Sequence, residues 1–348
     1  MTANLFGDRY YGRAPFWHAL GTVNTDRVNA VEAMKRCGLD YRVEKCPVFV
    51  GVDSGDMVQA EGKLALTRYP TSDDPLHRVF GFVTDQYQVL DNLRAAQQLD
   101  KLTDGWPVET VGALGKGETV FLSLDMGEWE VSEEAMKAYL LFVNWHTGTR
   151  AAQFVVTDVR VGCQNTLVTG LKQAVISAAI QHDSNAEADL AWRTTLLAKV
   201  EESHQQMRSL FGDLAAKHIK LADAKKVFEM AYPVKAAPGR MRTVDSLSKE
   251  ERAELEAEGI DLKDSVDWLR IMTARMEARR VGALDRYQAD QWADDTAETA
   301  WAAYNAVVEV EDYRGKPTAS ALASMMFGDR ARTKAKAFDA AYAFVGRK

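Results

Sequence analysis

PVETVGALGKGETVFLSLD (residues 107–125) and, after a short acidic link, AYLLFVNWHTGTRAAQFVVTDVRVG (138–162) are the stretches on which the fold turns. Each holds two runs rich in Val, Leu, Phe and Thr around a short polar break, the pattern of a β-hairpin. The first break is Gly115-Lys116-Gly117, whose glycines tolerate positive φ, and the second is His146-Thr147-Gly148-Thr149. Two hairpins in succession predict an antiparallel-leaning unit rather than a βαβ repeat.

Upstream, YRVEKCPVFVGV (41–52), KLALTRY (63–69), HRVFGFVT (77–84) and YQVL (87–90) read as further strands. One helix precedes these strands and a second separates them from the hairpins. Thr25 caps DRVNAVEAMKRC, in which Val28, Val31 and Met34 share a face and Gly38 is the stop. Asn92 opens LRAAQQLDKLTD, which ends before Gly105. Beyond residue 165 Ala, Glu, Lys, Leu and Arg recur at helical spacing. TLVTGLKQAVISAAIQ is predicted as a helix begun by the Asn165-Thr166 cap. A long helix comes next, with a stripe of Leu196, Val200, Met207, Leu210, Phe211 and Leu214. YPVKAAPGRMR (232–242) is a linker signal, and Ser248 with Glu251 fits a capping box. Helical stretches at 264–283 and 290–312 and one after Gly328 complete the chain. The expected class is α+β: an N-terminal antiparallel sheet with packed helices, followed by a largely helical C-terminal region. The expected divisions are a core at 1–172, a long helical segment at 173–232, a linker with a short helix at 233–262, and helices at 263–348.

Composition narrows the function classes. The chain has 348 residues, 47% hydrophobic and 27% charged, which excludes disorder and collagen-like repetition. No apolar run approaches the roughly 18 residues of a membrane span. The first residues lack a basic-then-apolar layout, so a soluble, cytoplasmic protein without a membrane partner is expected. Three cysteines without C-x-x-C spacing suggest neither a disulfide framework nor zinc, and the six histidines are scattered, so no metal is expected. No Walker or G-x-G-x-x-G glycine pattern is present, so no nucleotide cofactor is expected. A net charge of −7 means that a polyanion partner would need a local cationic groove.

Three clusters carry possible chemistry. Cys163, at a predicted strand-to-helix junction, fits a nucleophile with His146 as its base, and equally fits a small buried side chain. Gln164, Asn165 and Thr166 fit helix capping or a phosphate-binding helix terminus. Trp17, His18 and Gly21 fit a binding corner or a loop anchor. Basic residues beside aromatics form the remaining pattern: Trp145, Arg150, Arg160 and Lys172 on or after the second hairpin, and Arg240, Arg242, Arg275, Arg279, Arg280 and Arg286 further on. Cations along phosphates with flat side chains near bases are what single-stranded DNA binding needs. A solvated charge face on amphipathic helices gives the same pattern.

Several short motifs carry a resemblance. Trp17-His18-Ala19-Leu20-Gly21, Gly38-Leu39-Asp40-Tyr41, Phe80-Gly81-Phe82-Val83 with Tyr87 and Asn92, Gly112-Ala113-Leu114 and Leu140-Leu141-Phe142-Val143-Asn144 are similar to the phage/plasmid-like protein family, the domain-of-unknown-function 932 family. The resemblance is densest at Val159-Arg160-Val161-Gly162-Cys163-Gln164-Asn165-Thr166-Leu167 and returns at Trp301 and Tyr304-Asn305-Ala306-Val307. Gly162 departs from the pattern, where Val is expected, and 232–262 matches no part of it. The resemblance implies a mobile-element protein of a bacterial host cell, without an established activity. Its order of elements is similar to that of single-strand annealing recombinases of the RecT and Redβ type. Together these likenesses imply a DNA-recombination protein that binds single-stranded DNA and anneals it as a ring or helical homo-oligomer. No nucleotide hydrolysis is then required, and a phage nuclease or single-strand-binding protein is an expected partner. The competing expectations are a nucleic-acid- or protein-modifying enzyme using Cys163 and His146 or centred on His18, and a phage-encoded protein that acts on a host factor.

Overall fold

A computed structural model describes residues 5–12, 22–23, 26–150, 152–160, 165–167, 175–177, 186–234, 268–289, 294–315 and 328–346, with a few isolated positions between them. The strands are β1 (Leu5–Gly12), β2 (Thr22–Val23), β3 (Val43–Gly51), β4 (Met57–Arg68), β5 (Arg78–Val83), β6 (Val108–Leu114), β7 (Thr119–Val131), β8 (Glu134–Trp145), β9 (Gln153–Arg160), β10 (Asn165–Leu167) and β11 (Val175–Ser177). The helices are α1 (Ala30–Arg36), α2 (Asn92–Thr103), α3 (Ala186–Ala216), α4 (Leu221–Ala231), α5 (Trp268–Tyr287), α6 (Ala300–Tyr313) and α7 (Asp329–Tyr342). The class is α+β, with the antiparallel sheets first and a helical region after them.

The two hairpins form the centre of an eight-stranded sheet of order β10-β9-β8-β7-β6-β1-β2, with β11 also paired to β9. Gly115 and Gly117, at φ of 69° and 98°, make the β6–β7 turn that their lack of a side chain allows. The acidic link is part of the sheet: β7 runs to Val131 and β8 starts at Glu134. Val111, Leu122, Phe142 and Phe154 lie side by side across four strands. All four are buried in one core with residues of α1, α2, α3 and α6. Full burial of each such side chain is worth about 1.5–3 kcal/mol, so this row outweighs any turn in fixing register.

Residues 41–83 do not extend that sheet. They form a separate three-stranded antiparallel sheet, β3-β4-β5, so the N-terminal part holds two sheets. YQVL (87–90) is irregular rather than a strand. The first two helices are capped by Asn29 and Asp91, whose side chains accept from the backbone N–H three residues on; Asn92 is the first residue of α2, as expected, whereas Thr25 is not the cap of α1.

The helix expected from Asn165 is overturned. Asn165–Leu167 and Val175–Ser177 are short strands, both antiparallel to β9. The Asn-Thr pair followed by apolar residues has the local look of a cap. The open edge of β9 supplies ladder partners, and the β-branched Thr166, Val175 and Ile176 suit a strand there. The sheet thus runs past residue 172.

The predicted stripe on α3 is borne out: Leu196, Val200, Met207, Phe211 and Leu214 are buried. Glu134 at the start of β8 accepts from Thr296 Oγ1 (2.7 Å) and Trp301 Nε1 (3.0 Å), tying the sheet to α6. Residues 294–298 are turns rather than the start of a helix, and Thr299 bridges to His218 and caps α6. Ser248 and most of the 232–262 linker lie outside the described residues.

Candidate functional site

At one end of the large sheet, the loop 146–149 is wedged against the small sheet, and a chain of buried polar contacts fixes it there. His146 is 2% exposed. Its backbone N–H donates to Glu118 O at 2.7 Å. Its Nε2 lies 2.8 Å from Asn92 Oδ1, while Asn92 Nδ2 donates to Leu39 O at 2.9 Å. Asn144 Nδ2 donates to Leu90 O at 3.1 Å. Burial lowers the His146 pKa to about 4, so the ring is neutral at pH 7. Since Asn92 Oδ1 only accepts, His146 Nε2 carries the proton in this contact.

Aromatic rings close the pocket around this imidazole. Phe80 stacks on it at 6.3 Å and Tyr41 meets it edge-on at 6.2 Å. Tyr41 OH donates to Gly117 O at 2.5 Å, across to the β6–β7 turn. Arg68, fully buried, pairs with Asp74 and lies over the Tyr41 ring. Two glycines permit the close approach. A Cβ on Gly81 would stand 2.2 Å from Thr147 O, and one on Gly148 would stand 2.4 Å from Val83 Cγ1. Six of the residues that carry the sequence resemblance between 38 and 144, Leu39, Tyr41, Phe80, Gly81, Asn92 and Asn144, meet at this place.

The outer surface of this junction carries an exposed aromatic ring on β5 and an exposed cation in the loop after β8. A bulge at Phe80 breaks the alternation of β5: Leu66 pairs with Gly81, but Thr67 pairs with Val79. Without it Phe80 and Phe82 would share a face. With it Phe80 turns to His146, while Phe82 stands 62% exposed. The Phe82 carbonyl is 3.7 Å from the Cβ position of Gly148, two residues before Arg150. Arg150 is exposed and its guanidinium lies 5.5 Å over the centre of the Trp145 ring. Among the described residues Arg150 has no carboxylate partner. The exposed Lys116 stands on the adjoining turn.

Of the predicted contact residues, Trp145 and Arg150 are thus brought together, with Trp145 as a buried backing rather than an open stacking surface. Arg160 ends β9 opposite Met136 and Asn165. Its side chain, Lys172, Arg240 and Arg242 lie outside the described residues, as do Trp17, His18, Gly21, Cys163, Gln164 and the side chains of Asn165 and Thr166. The arginines of α5 are drawn into the helical region. Arg280 bonds Glu277 Oε1 at 2.7 Å and Tyr232 O at 2.9 Å, and Arg286 bonds Gly282 O and lies 3.5 Å from Glu309. Arg275 and Arg279 are half-buried on the same helix and have interactions of their own. Their i, i+4 spacing gave no sign of which face was inward.

Sequence reasoning missed Phe82 as a site residue. The alternation in HRVFGFVT marked it as strand, but only the bulge exposes it. A second missed cluster sits under α3. Asp158, fully buried on β9, accepts from Trp129 Nε1 at 2.8 Å and lies 3.8 Å from His204 Nε2. Burial raises the Asp158 pKa to about 7 and lowers that of His204. Arg208 caps the Trp129 ring at 5.3 Å. Among the described residues no group of three His, Cys, Asp or Glu side chains is arranged to hold a metal ion, and no helix is long and apolar enough to cross a membrane.

Comparison with known proteins adds one match. No curated protein and no solved structure matches the chain. The family model described as "Domain of unknown function (DUF932)" matches residues 79–341, from β5 through α7, which takes in the junction, the large sheet from β6 onward and the helical region. With that match over most of its length, the chain belongs to the DUF932 family.

Proposed function

We propose that this protein binds single-stranded DNA across the Phe82–Arg150 junction and, with several copies along a strand, promotes annealing in the manner of a phage or plasmid recombination protein in the bacterial cytoplasm. The observation that carries the reading is an exposed aromatic residue on β5 whose own carbonyl packs against Gly148, two residues before an exposed arginine with no carboxylate partner among the described residues. Stacking on an aromatic side chain contributes about 1–3 kcal/mol per base and tolerates any sequence. A guanidinium held against an indole is pre-organised to meet a phosphate, because less of its freedom is lost on contact. The glycine-cradled seat of Thr147 and Gly148 and the buried Asn92–His146 contact hold the backbone of β5 against the loop that leads to Arg150. Assembly of copies sums a modest charge per chain, so a net charge of −7 is compatible with binding. The α5 arginines, with inward partners, are not part of the proposed surface.

The test is fluorescence anisotropy with a labelled oligo-dT. Phe82→Ala and Arg150→Ala should each weaken binding by roughly tenfold, about 1–2 kcal/mol. Arg150→Ala should also lower the salt slope by about 0.7 for the lost phosphate contact. Unchanged affinity in both variants removes the assignment.

A further inference from the structure

Where β4 and β5 pair, the small sheet has one covered and one open face. Leu66 pairs with Gly81 on the covered face, which packs on the loop at Thr147 and Gly148. Ala65 pairs with Phe82 and Thr67 with Val79, so these four share the opposite face. Phe82 and Val79 stand 62% and 57% exposed there, beside the small side chains of Ala65 and Thr67. Lys63 lies two residues before Ala65 on β4, which places it on the same face and diagonal to Phe82. Diagonal neighbours lie about 7–8 Å apart, a gap that long side chains span. Lys63 is exposed.

The other lysine and arginines between residues 42 and 83 are engaged. Arg42 pairs with Glu44, and Arg68 and Arg78 both pair with Asp74. Lys45, opposite Leu66 on the covered face, donates to Asp85 O at 2.7 Å. Among the described residues Lys63 has no such partner. Glu44 is the carboxylate that pairing with Thr67 sets on the open face, and it is held by Arg42 and by Tyr69 OH at 3.0 Å. We infer that Lys63 is a phosphate-contact residue of the bound strand: its ammonium holds the phosphate of the nucleotide whose base stacks on Phe82. The inference rests on the single-strand reading of this junction and carries the strand across the open face of β4 and β5. An ammonium on a flexible four-carbon stem follows a phosphate from base to base, which suits binding that positions the backbone without reading sequence.

The experiment is a salt series of oligo-dT binding by fluorescence anisotropy on the full chain. One phosphate contact on a single strand contributes a slope of about 0.7, so between about 1 M and 0.1 M salt it is worth roughly fivefold. Lys63→Ala should therefore weaken binding about fivefold near 0.1 M salt and lower the slope by about 0.7, and Lys63→Arg should restore both. Lys199→Ala and Lys225→Ala remove the same charge from exposed positions on α3 and α4 and should leave the slope unchanged. In a Phe82→Ala background the added loss from Lys63→Ala should shrink to less than about twofold, because no base then holds the nucleotide beside the ammonium. If Phe82→Ala and Arg150→Ala weaken binding while Lys63→Ala behaves like the Lys199 control, the inference falls and the single-strand reading stands. A full loss from Lys63→Ala that persists on Phe82→Ala also overturns the inference. If neither Phe82→Ala nor Arg150→Ala weakens binding, both fall.

Discussion

His146→Gln separates a buried neutral imidazole from the acid response of the whole chain. In the folded protein the His146 pKa is about 4, lowered by burial. In the unfolded chain it is about 6.5. The unfolded state therefore binds more protons between these values, and stability falls as pH drops through that window. A gap of about 2.5 pH units at 1.36 kcal/mol each gives about 3 kcal/mol, present in full above pH 6.5 and gone by pH 4. Asp158 acts in the opposite sense. Its folded pKa is raised to about 7, so its contribution is complete below the unfolded value near 4 and is lost as pH rises through 7. The two groups oppose each other in the wild type, which is why the variant is needed. Glutamine keeps an N–H for Asn92 Oδ1 and has no titration. Urea unfolding at pH 7, 6, 5 and 4.5 should show wild-type stability relative to His146→Gln shrinking by roughly 2–3 kcal/mol as pH falls. A difference that stays constant with pH would refute the neutral, buried imidazole.

The remaining expectations concern the same contacts and the joint between sheet and helices. Asp158→Asn removes the opposing titration, so its stability relative to wild type should rise by a few kcal/mol from pH 4 to pH 7.5, read from the same urea series. Glu134→Ala leaves Thr296 and Trp301 without this acceptor and should cost about 2–5 kcal/mol, while Glu134→Gln, which keeps one acceptor oxygen, should cost less; denaturant midpoints compare them. Gly81→Ala drives a methyl against Thr147 O and should cost about 1–3 kcal/mol while also weakening oligo-dT binding, since the seat of Phe82 shifts with it.

How far the sequence carried the reading depended on whether the deciding contact was local. The hairpin around Gly115-Lys116-Gly117 and the α3 stripe were legible because alternation, turn chemistry and helical spacing are properties of neighbours in the chain. The strands at Asn165 and Val175 were not, because their state is decided by an open edge of β9 that only the folded sheet brings beside them. The separate small sheet was hidden for a related reason: runs at 41–52, 63–69 and 77–84 look the same whether they join the main sheet or pair among themselves. At the candidate site, Trp145 and Arg150 were both singled out from the sequence, and the fold sets the guanidinium over the indole ring, five positions apart across a turn. Phe82 was missed because one bulge residue, Phe80, puts on opposite faces two phenylalanines that plain alternation would place together. His146 looked like a catalytic base by position along the chain. Its burial against Asn92 and Phe80 makes it a brace for the loop, and no local pattern distinguishes the two. The arginines of α5 were read as a surface because two of the groups they meet, Tyr232 O and Glu309, lie outside that helix.

Passage of the strand over the Phe82–Arg150 junction is tested most directly by photocrosslinking. A single-stranded oligonucleotide carrying bromodeoxyuridine is irradiated with the full chain, and the attached peptides are identified by mass spectrometry. Attachment within residues 79–83 or 145–150, lost in Phe82→Ala, is the expected result. Attachment confined to 268–287, or crosslinks that persist unchanged in Phe82→Ala, would contradict it.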